Sequence, residues 1–174
     1  MPLSSADITK AFDALSEEFS SSPDRAEIVV VGGAALVLLF RARETTKDVD
    51  AVFLTPTASE VRAAASRVAA RLDLPLDWLN DGAKGYLVGV TIGEVLYESP
   101  HLIARAASLE QLLAMKLCAW RDAIDRDDAR VLLSRMSGSA QEVWEVVKPL
   151  VPAHQIDKAW YAFQDLWEGV HGSR

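Results

Sequence analysis

The chain has 174 residues, half of them hydrophobic, and its 25 acidic residues against 18 lysines and arginines give a formal net charge of −7. This length can bury one good-sized core, and the acidic balance excludes nucleic-acid binding through overall charge. RNA contact would need a local basic patch. The candidates for that patch are Arg41, Arg43, Lys47, Arg62, Arg67 and Arg71.

The chain shows no sign of a membrane or secretory segment. Its most apolar run, residues 28–40, is too short to span a bilayer and contains two glycines. The first ten residues lack the basic and apolar regions of a signal peptide, and the single cysteine, Cys118, excludes an internal disulfide. We therefore expect a cytoplasmic protein with no membrane contact.

The first part of the chain alternates helical and strand patterns. Hydrophobic periodicity and turn residues define its elements. In chain order, the predictions are a helix at 6–19, a buried strand at 28–31, a turn at Gly32-Gly33, a helix at 34–40, a polar loop at 41–47, a strand at 48–54, a helix at 58–72, extended pieces at 74–79, 86–92 and 95–97, and a strand at 102–106.

The rest of the chain has helical patterns. Residues Ser108 to Gln111 form a capping-box pattern that predicts a helix start at about 109. The predicted helices are 109–123, 126–136, 139–148 and 154–168. We therefore expect an α/β (α+β) fold with two parts. Residues 1–107 form a mixed β-sheet core flanked by helices, and residues 108–174 form a C-terminal helical region packed on that core.

Asp48 and Asp50 form an acidic pair separated by one residue. If residues 48–54 are a strand, both side chains lie on one face of it. Two carboxylates so close repel each other, and a divalent cation relieves that repulsion. Paired carboxylates that hold Mg²⁺ against phosphate oxygens recur in phosphate chemistry. The pair therefore predicts a site for Mg²⁺ or Mn²⁺.

A strand, a glycine pair, a short helix and a strand with Asp-x-Asp together resemble the nucleotidyltransferase superfold of DNA polymerase β type. The longer pattern is similar to the AbiEii-like and MenT-like bacterial nucleotidyltransferases, many of which are toxins of toxin–antitoxin pairs. The matching segments, which span about residues 26–136, are GGAAL, R-x-T-T-K-D-V-D, DWLN, S-x-E-Q-L-L-A-M-K-L-x-A-x-R and D-x-x-D.

The resemblance implies roles for individual residues. Asp48 and Asp50 would bind the metal, and Lys116 and Asp128 would complete the catalytic set. The nucleotide-binding residues would be Gly32, Gly33, Thr46, Lys47 and Arg121.

Two geometric points bear on these roles. Lys116 and Asp128 are 12 residues apart and lie on different faces of one straight helix, so they meet only if the chain bends within 121–128. The strand predicted at 102–106 offers no third carboxylate, for which Asp77, Glu94 and Glu98 are the alternatives.

The implied function is Mg²⁺-dependent transfer of NMP from an NTP to an acceptor. The resemblance suggests a toxin that acts on tRNA 3′ ends and has a cognate antitoxin protein as partner, while a protein hydroxyl or a small molecule stays open as the acceptor. A second function follows if the third carboxylate is missing: a nucleotidyltransferase-like fold with weak or no turnover that binds a protein partner.

The aromatic residues of the last helices, among them Trp144, Trp160 and Trp167, are core or partner-interface residues.

Overall fold

The computed structural model describes residues 1–41 and 43–172. It confirms the predicted mixed α/β fold class. The chain divides into two compact units. The first comprises residues 1–85 and 92–107, and the second comprises residues 86–91 and the chain from 108 onward.

The first unit carries a five-stranded sheet, a two-stranded sheet and three helices among its described residues. The helices are α1 (Ser5–Glu18), α2 (Gly32–Phe40) and α3 (Ala58–Leu72). The strands are β1 (Leu3–Ser4), β2 (Ala26–Val31), β3 (Thr45–Thr46), β4 (Val49–Thr55), β5 (Leu79–Asn80), β6 (Val95–Glu98) and β7 (Leu102–Ala106).

Strand β2 is the centre of the larger sheet, whose order is β5-β4-β2-β7-β6. It pairs antiparallel with β4 and parallel with β7. Residues Ile28 to Val31 are fully buried, as expected of a β-branched run flanked by strands on both sides. In the β2–β4 ladder Val31 lies opposite Asp50. The end of β2 that leads into α2 therefore lies beside the second aspartate of the acidic pair.

Helix α3 forms where the apolar periodicity predicted it. Thr57 and Glu60 make a reciprocal capping box at its amino end. Its buried face includes Val61 and Val68. The indole Nε1 of Trp78 donates a buried hydrogen bond of 2.9 Å to the carbonyl of Ala65. This bond ties the segment before β5 to α3.

The second unit contains four α-helices among its described residues: α4 (Leu109–Ala119), α5 (Ala123–Leu133), α6 (Ala140–Val147) and α7 (Ile156–His171). Four aromatic rings join α6 to α7 with centroid separations of 5.0–5.9 Å: Trp144, Trp160, Phe163 and Trp167. Trp144 and Phe163 are buried, which confirms the core interpretation for these two residues.

At the carboxyl end of α4, the Lys158 ammonium donates to the carbonyls of Cys118 and Ala119.

Several predicted boundaries are wrong. The strand predicted at 48–54 begins at Val49, so Asp48 lies just outside it. Helix α2 begins at Gly32 itself, so the glycine pair is its first turn rather than a separate turn. Of the extended piece predicted at 74–79, only Leu79 is in a strand, the two-residue β5, because its pairing with β4 covers Leu79 and Asn80 alone. No strand forms in the piece predicted at 86–92.

The start of α4 also differs from its sequence pattern. Ser108 caps the helix by accepting a hydrogen bond from the Gln111 amide. The Gln111 side chain, however, does not return to the cap. Its Oε1 accepts from the amide and hydroxyl of Thr91 at 2.8 and 2.7 Å, and its amide nitrogen donates to the Gly89 carbonyl. This glutamine therefore anchors residues 86–91 within the second unit.

Within residues 1–41 and 43–172, no helix has the length and apolar content needed to cross a lipid bilayer.

Candidate functional site

Gly32 opens α2 and lies against the carboxylate of Asp50. Its φ of +63° is in the left-handed region, which favours glycine. A Cβ at this position would lie 3.3 Å from Asp50 Oδ2. The residue before it, Val31, is the N-cap and makes no side-chain capping bond. At the amino end of α2, a ligand can therefore approach the backbone closely, and a carboxylate lies beside that position.

Gly33 is more tightly enclosed than Gly32. A Cβ at this position would lie 2.7 Å from Thr46 Oγ1 and 2.8 Å from Arg43 Nη2. Both distances are too short for a real side chain, so only glycine fits without movement of its neighbours. The segment between α2 and β4 therefore folds back over the glycine pair.

The two aspartates are both half-buried, and the strand boundary separates them. Asp50 lies on β4, while Asp48 precedes the first strand residue. Burial raises the pKa of Asp48, the positive charge of Lys47 opposes that rise, and the negative charge of Asp77 adds to it. Asp48 is thus a carboxylate whose surroundings disfavour its charge, a condition that a bound cation would relieve.

Thr46 and Lys47 connect the glycine pair to Asp48 in different ways. Thr46 is buried, and its hydroxyl donates to the backbone carbonyl of Asp48 at 3.2 Å. Lys47 is exposed and acts on Asp48 through its charge. The position of Thr46 indicates that it shapes the loop, while the predicted contact of both residues with a nucleotide stays a prediction.

The three alternatives for a third carboxylate occupy different places. Asp77 is exposed and directly precedes Trp78, whose carbonyl accepts a 2.7 Å hydrogen bond from the Val49 amide. Glu98 pairs with Arg25 at 2.9 Å. Glu94 is exposed. In the described part of the chain, no group of three or more Asp, Glu, His or Cys residues is arranged to hold a metal ion.

The predicted residues of the second unit form a buried cluster of charges. Lys116 Nζ lies 3.0 Å from Asp125 Oδ1 and 2.7 Å from Asp128 Oδ2. The lysine side chain is 12% exposed and each aspartate side chain 5%. Arg121, 77% exposed, reaches Asp125 Oδ2 at 3.3 Å. The structure thus pairs Lys116 directly with Asp128, and it links both to Arg121 through Asp125, a residue outside the predicted site.

A break between α4 and α5 makes this cluster possible. The chain leaves α4 at Trp120, whose φ of 37° is left-handed, and Asp122 caps α5. The bend required for Lys116 to meet Asp128 is present, although it begins one residue before the predicted range.

Charge balance decides the pKa of Asp125. Burial acts most strongly and raises it, but the hydrogen bond and charge of Lys116 and the hydrogen bonds from Arg121 together outweigh burial and lower the pKa. Asp125 therefore stays ionised and holds the buried lysine.

Three of the six residues of the predicted basic patch are paired with carboxylates within the first unit. Arg62, Arg67 and Arg71 of α3 each pair with a carboxylate of the same unit, and their partners are Asp81, Glu18 and Glu17. Arg43 instead lies at the glycine pair. The sequence places Arg43 in the basic patch and at the start of R-x-T-T-K-D-V-D, and neither feature predicts its contact with the glycine pair.

Comparison with known proteins identifies the family. Residues 7–151 match the model of a family described as nucleotidyltransferase of unknown function (DUF6036). Neither curated proteins nor solved structures give a significant match. The matched range covers most of the chain and contains the glycine pair, the two aspartates and the buried lysine cluster. The chain belongs to this family of nucleotidyltransferases.

Proposed function

We propose that the protein transfers an NMP group from an NTP to an acceptor, with Asp48 and Asp50 holding Mg²⁺ or Mn²⁺. The observation that carries the proposal is the Asp50 carboxylate against Gly32, at the first turn of α2. The amino end of a helix is favourable for phosphate, and a carboxylate beside it can hold a cation against that phosphate. Membership of the nucleotidyltransferase family supports the same chemistry.

The two carboxylates suit a hard divalent cation, which prefers oxygen ligands. Burial of Asp48, together with the charge of Asp77, favours a cation at this position. When bound, the cation would neutralise phosphate charge and lower the pKa of an attacking hydroxyl. The chain's own part is to position the triphosphate on Gly32 and Gly33.

The reaction conserves atoms and charge in a single displacement. An acceptor oxygen forms a bond to the α-phosphorus, the bond from that phosphorus to the bridging oxygen breaks, and pyrophosphate leaves. The acceptor's proton passes to water or to a base. The chain's contribution is alignment and electrostatic stabilisation, which dominate phosphoryl-type transfers.

For the acceptor we propose the 3′ end of tRNA, and for the biological role a toxin neutralised by a cognate antitoxin protein. The similarity of the quoted segments to AbiEii-like and MenT-like proteins supports both. Charge supports tRNA only weakly, because the three arginines of α3 are paired with carboxylates. Exposed cations beside the site, such as Lys47, would have to make the contact.

The test is incubation with each α-labelled NTP, Mg²⁺ or Mn²⁺, and total cell RNA and protein, followed by measurement of which fraction takes the label. We expect Asp48→Ala to lower transfer by at least about a hundredfold. Asp24→Asn is the matched control, since it removes an exposed carboxylate from the loop before β2 and should leave transfer unchanged. Full transfer by Asp48→Ala would refute the assignment. Growth arrest on expression of the wild type but not of Asp48→Ala tests the toxin role.

The alternative is a binding module with weak or no turnover, favoured by the two-carboxylate arrangement found among the described residues. Calorimetric titration with NTP, with and without Mg²⁺, separates the two functions. Metal-independent binding with no label transferred to any fraction would support the binding module.

A further inference from the structure

Arg43 lies directly on the glycine pair. Its guanidinium Nη2 and Cζ would be 2.8 and 3.0 Å from a Cβ at Gly33. The side chain is half-buried, in contrast to the exposed Arg41 and Lys47 of the same segment. A Cβ at Gly33 would therefore force the guanidinium or the Thr46 hydroxyl to move. The position of Gly33 and the position of Arg43 therefore depend on each other.

Such a position is electrostatically demanding for an arginine. The amino end of a helix carries partial positive charge, which disfavours a second positive charge unless anions lie close by. The protein supplies one anion, because the carboxylate of Asp50 lies against the neighbouring Gly32. The Asp50 carboxylate thus lies beside Gly32 and the Arg43 guanidinium beside Gly33. Both glycines belong to the first turn of α2.

The segment that carries Arg43 is anchored by the residues that follow it. Strand β3 pairs antiparallel with β1, with Thr46 opposite the fully buried Leu3. The Thr46 hydroxyl donates to the carbonyl of Asp48. The segment therefore holds the Arg43 guanidinium and the Thr46 hydroxyl beside Gly33.

We propose that Arg43 is a phosphate-contacting residue, which donates two hydrogen bonds to non-bridging oxygens of the NTP triphosphate. The inference rests on the proposed function, since it takes the glycine pair as the place where the triphosphate binds. The planar guanidinium fork matches two phosphate oxygens, whereas an ammonium acts as a point charge. Arg43 contributes affinity for the phosphates, while Asp48 and Asp50 keep their separate role at the cation.

The experiment measures binding of inorganic triphosphate and of NTP by calorimetry, with Mg²⁺ and with a chelator, for the wild type, Arg43→Lys and Arg43→Ala. We expect Arg43→Ala to weaken binding of both ligands by about 10- to 100-fold and Arg43→Lys to fall between. In the transfer assay, KM for NTP should rise by a similar factor while kcat changes far less. Arg25→Ala is the control, because it removes an arginine paired with Glu98 from the opposite end of β2.

The inference is overturned if Arg43→Ala, folded by circular dichroism, binds triphosphate as the wild type does. Tighter binding by that variant would also overturn it, because the guanidinium would then block the phosphate position. Failure of the proposed function has a different signature, in which the wild type transfers no label from any NTP. Unchanged triphosphate binding by Arg43→Ala together with normal wild-type transfer removes only the role of Arg43.

Discussion

The buried lysine of the second unit offers the sharpest stability prediction. Substitution of Lys116 by Met removes the ammonium that lies 3.0 Å from Asp125 and 2.7 Å from Asp128, and it keeps most of the apolar stem. The two carboxylates, each 5% exposed, then face each other without their central cation. Arg121 cannot replace it, because its side chain is 77% exposed and reaches Asp125 alone at a longer distance.

The expected cost is large. Removal of one partner from a buried ion pair costs about 3–5 kcal/mol, because the remaining charge stays buried. For a chain of this length, about 1 kcal/mol corresponds to about 2–4 °C in Tm, so Lys116→Met should lower Tm by roughly 6–20 °C. Such a loss is a large part of the total stability of an ordinary domain.

The assay is urea or thermal unfolding at pH 7.5 and at pH 5, with Lys116→Met/Asp125→Asn/Asp128→Asn as the rescue variant. Neutral asparagines should recover much of the lost stability, because no buried charge then lacks a partner. A loss below about 1 kcal/mol for Lys116→Met at pH 7.5 would refute the reasoning, as would a rescue variant no more stable than the single variant.

The pH dependence follows from the sign of the pKa shift. In the wild type, Lys116 and Arg121 lower the pKa of Asp125, so its contribution to stability is present above its ordinary pKa of 3.8 and is lost as pH falls through the lowered value. Without Lys116 the largest effect, burial, is less opposed and the pKa rises. The difference in free energy of unfolding between Lys116→Met and the wild type should therefore narrow as the pH falls from 7.5 towards the carboxyl range.

Three further predictions concern the first unit. Asp48→Asn should abolish transfer and yet raise Tm by about 1–3 °C, since burial raises the pKa of Asp48 and its charged form is disfavoured in the fold; a fall in Tm would contradict this. Trp78→Phe should lower the free energy of unfolding by about 1–3 kcal/mol in urea, because the Ala65 carbonyl loses its buried donor. Arg67→Ala should cost at most about 1 kcal/mol in the same assay, since its pair with Glu18 is largely solvent-exposed on the arginine side.

The local sequence pattern predicts the bounds of an element correctly where residues of that element stabilise it. Helix α3 begins and ends where its apolar period predicted, and β7 runs over the predicted 102–106. The local pattern gives a wrong prediction where a strand must pair with a distant segment. Apolar residues at 86–92 predicted an extended piece, yet no strand forms there, and Gln111 holds this region through Thr91. A strand forms only beside a second strand, and the local sequence does not show which segment that second strand is.

The sequence by itself determined the chemistry that the site has available. Gly32-Gly33, Asp48 and Asp50 lie in an order and spacing that predicted a cation and phosphate site before any contact was known. Helix α2 and β3 separate the glycine pair from β4 in the chain, and the β2–β4 ladder places Val31, which precedes the glycines, opposite Asp50.

Only the tertiary structure shows which other charged side chains lie next to one another within each unit. It places Arg43 on Gly33, because β3 pairs with β1 and folds the segment back over α2. It also encloses Lys116 between Asp125 and Asp128, because the chain turns at Trp120. The physical reason is common to both cases. Side-chain charges act over a few ångströms, and those distances depend on turns and pairings that a one-dimensional pattern does not contain.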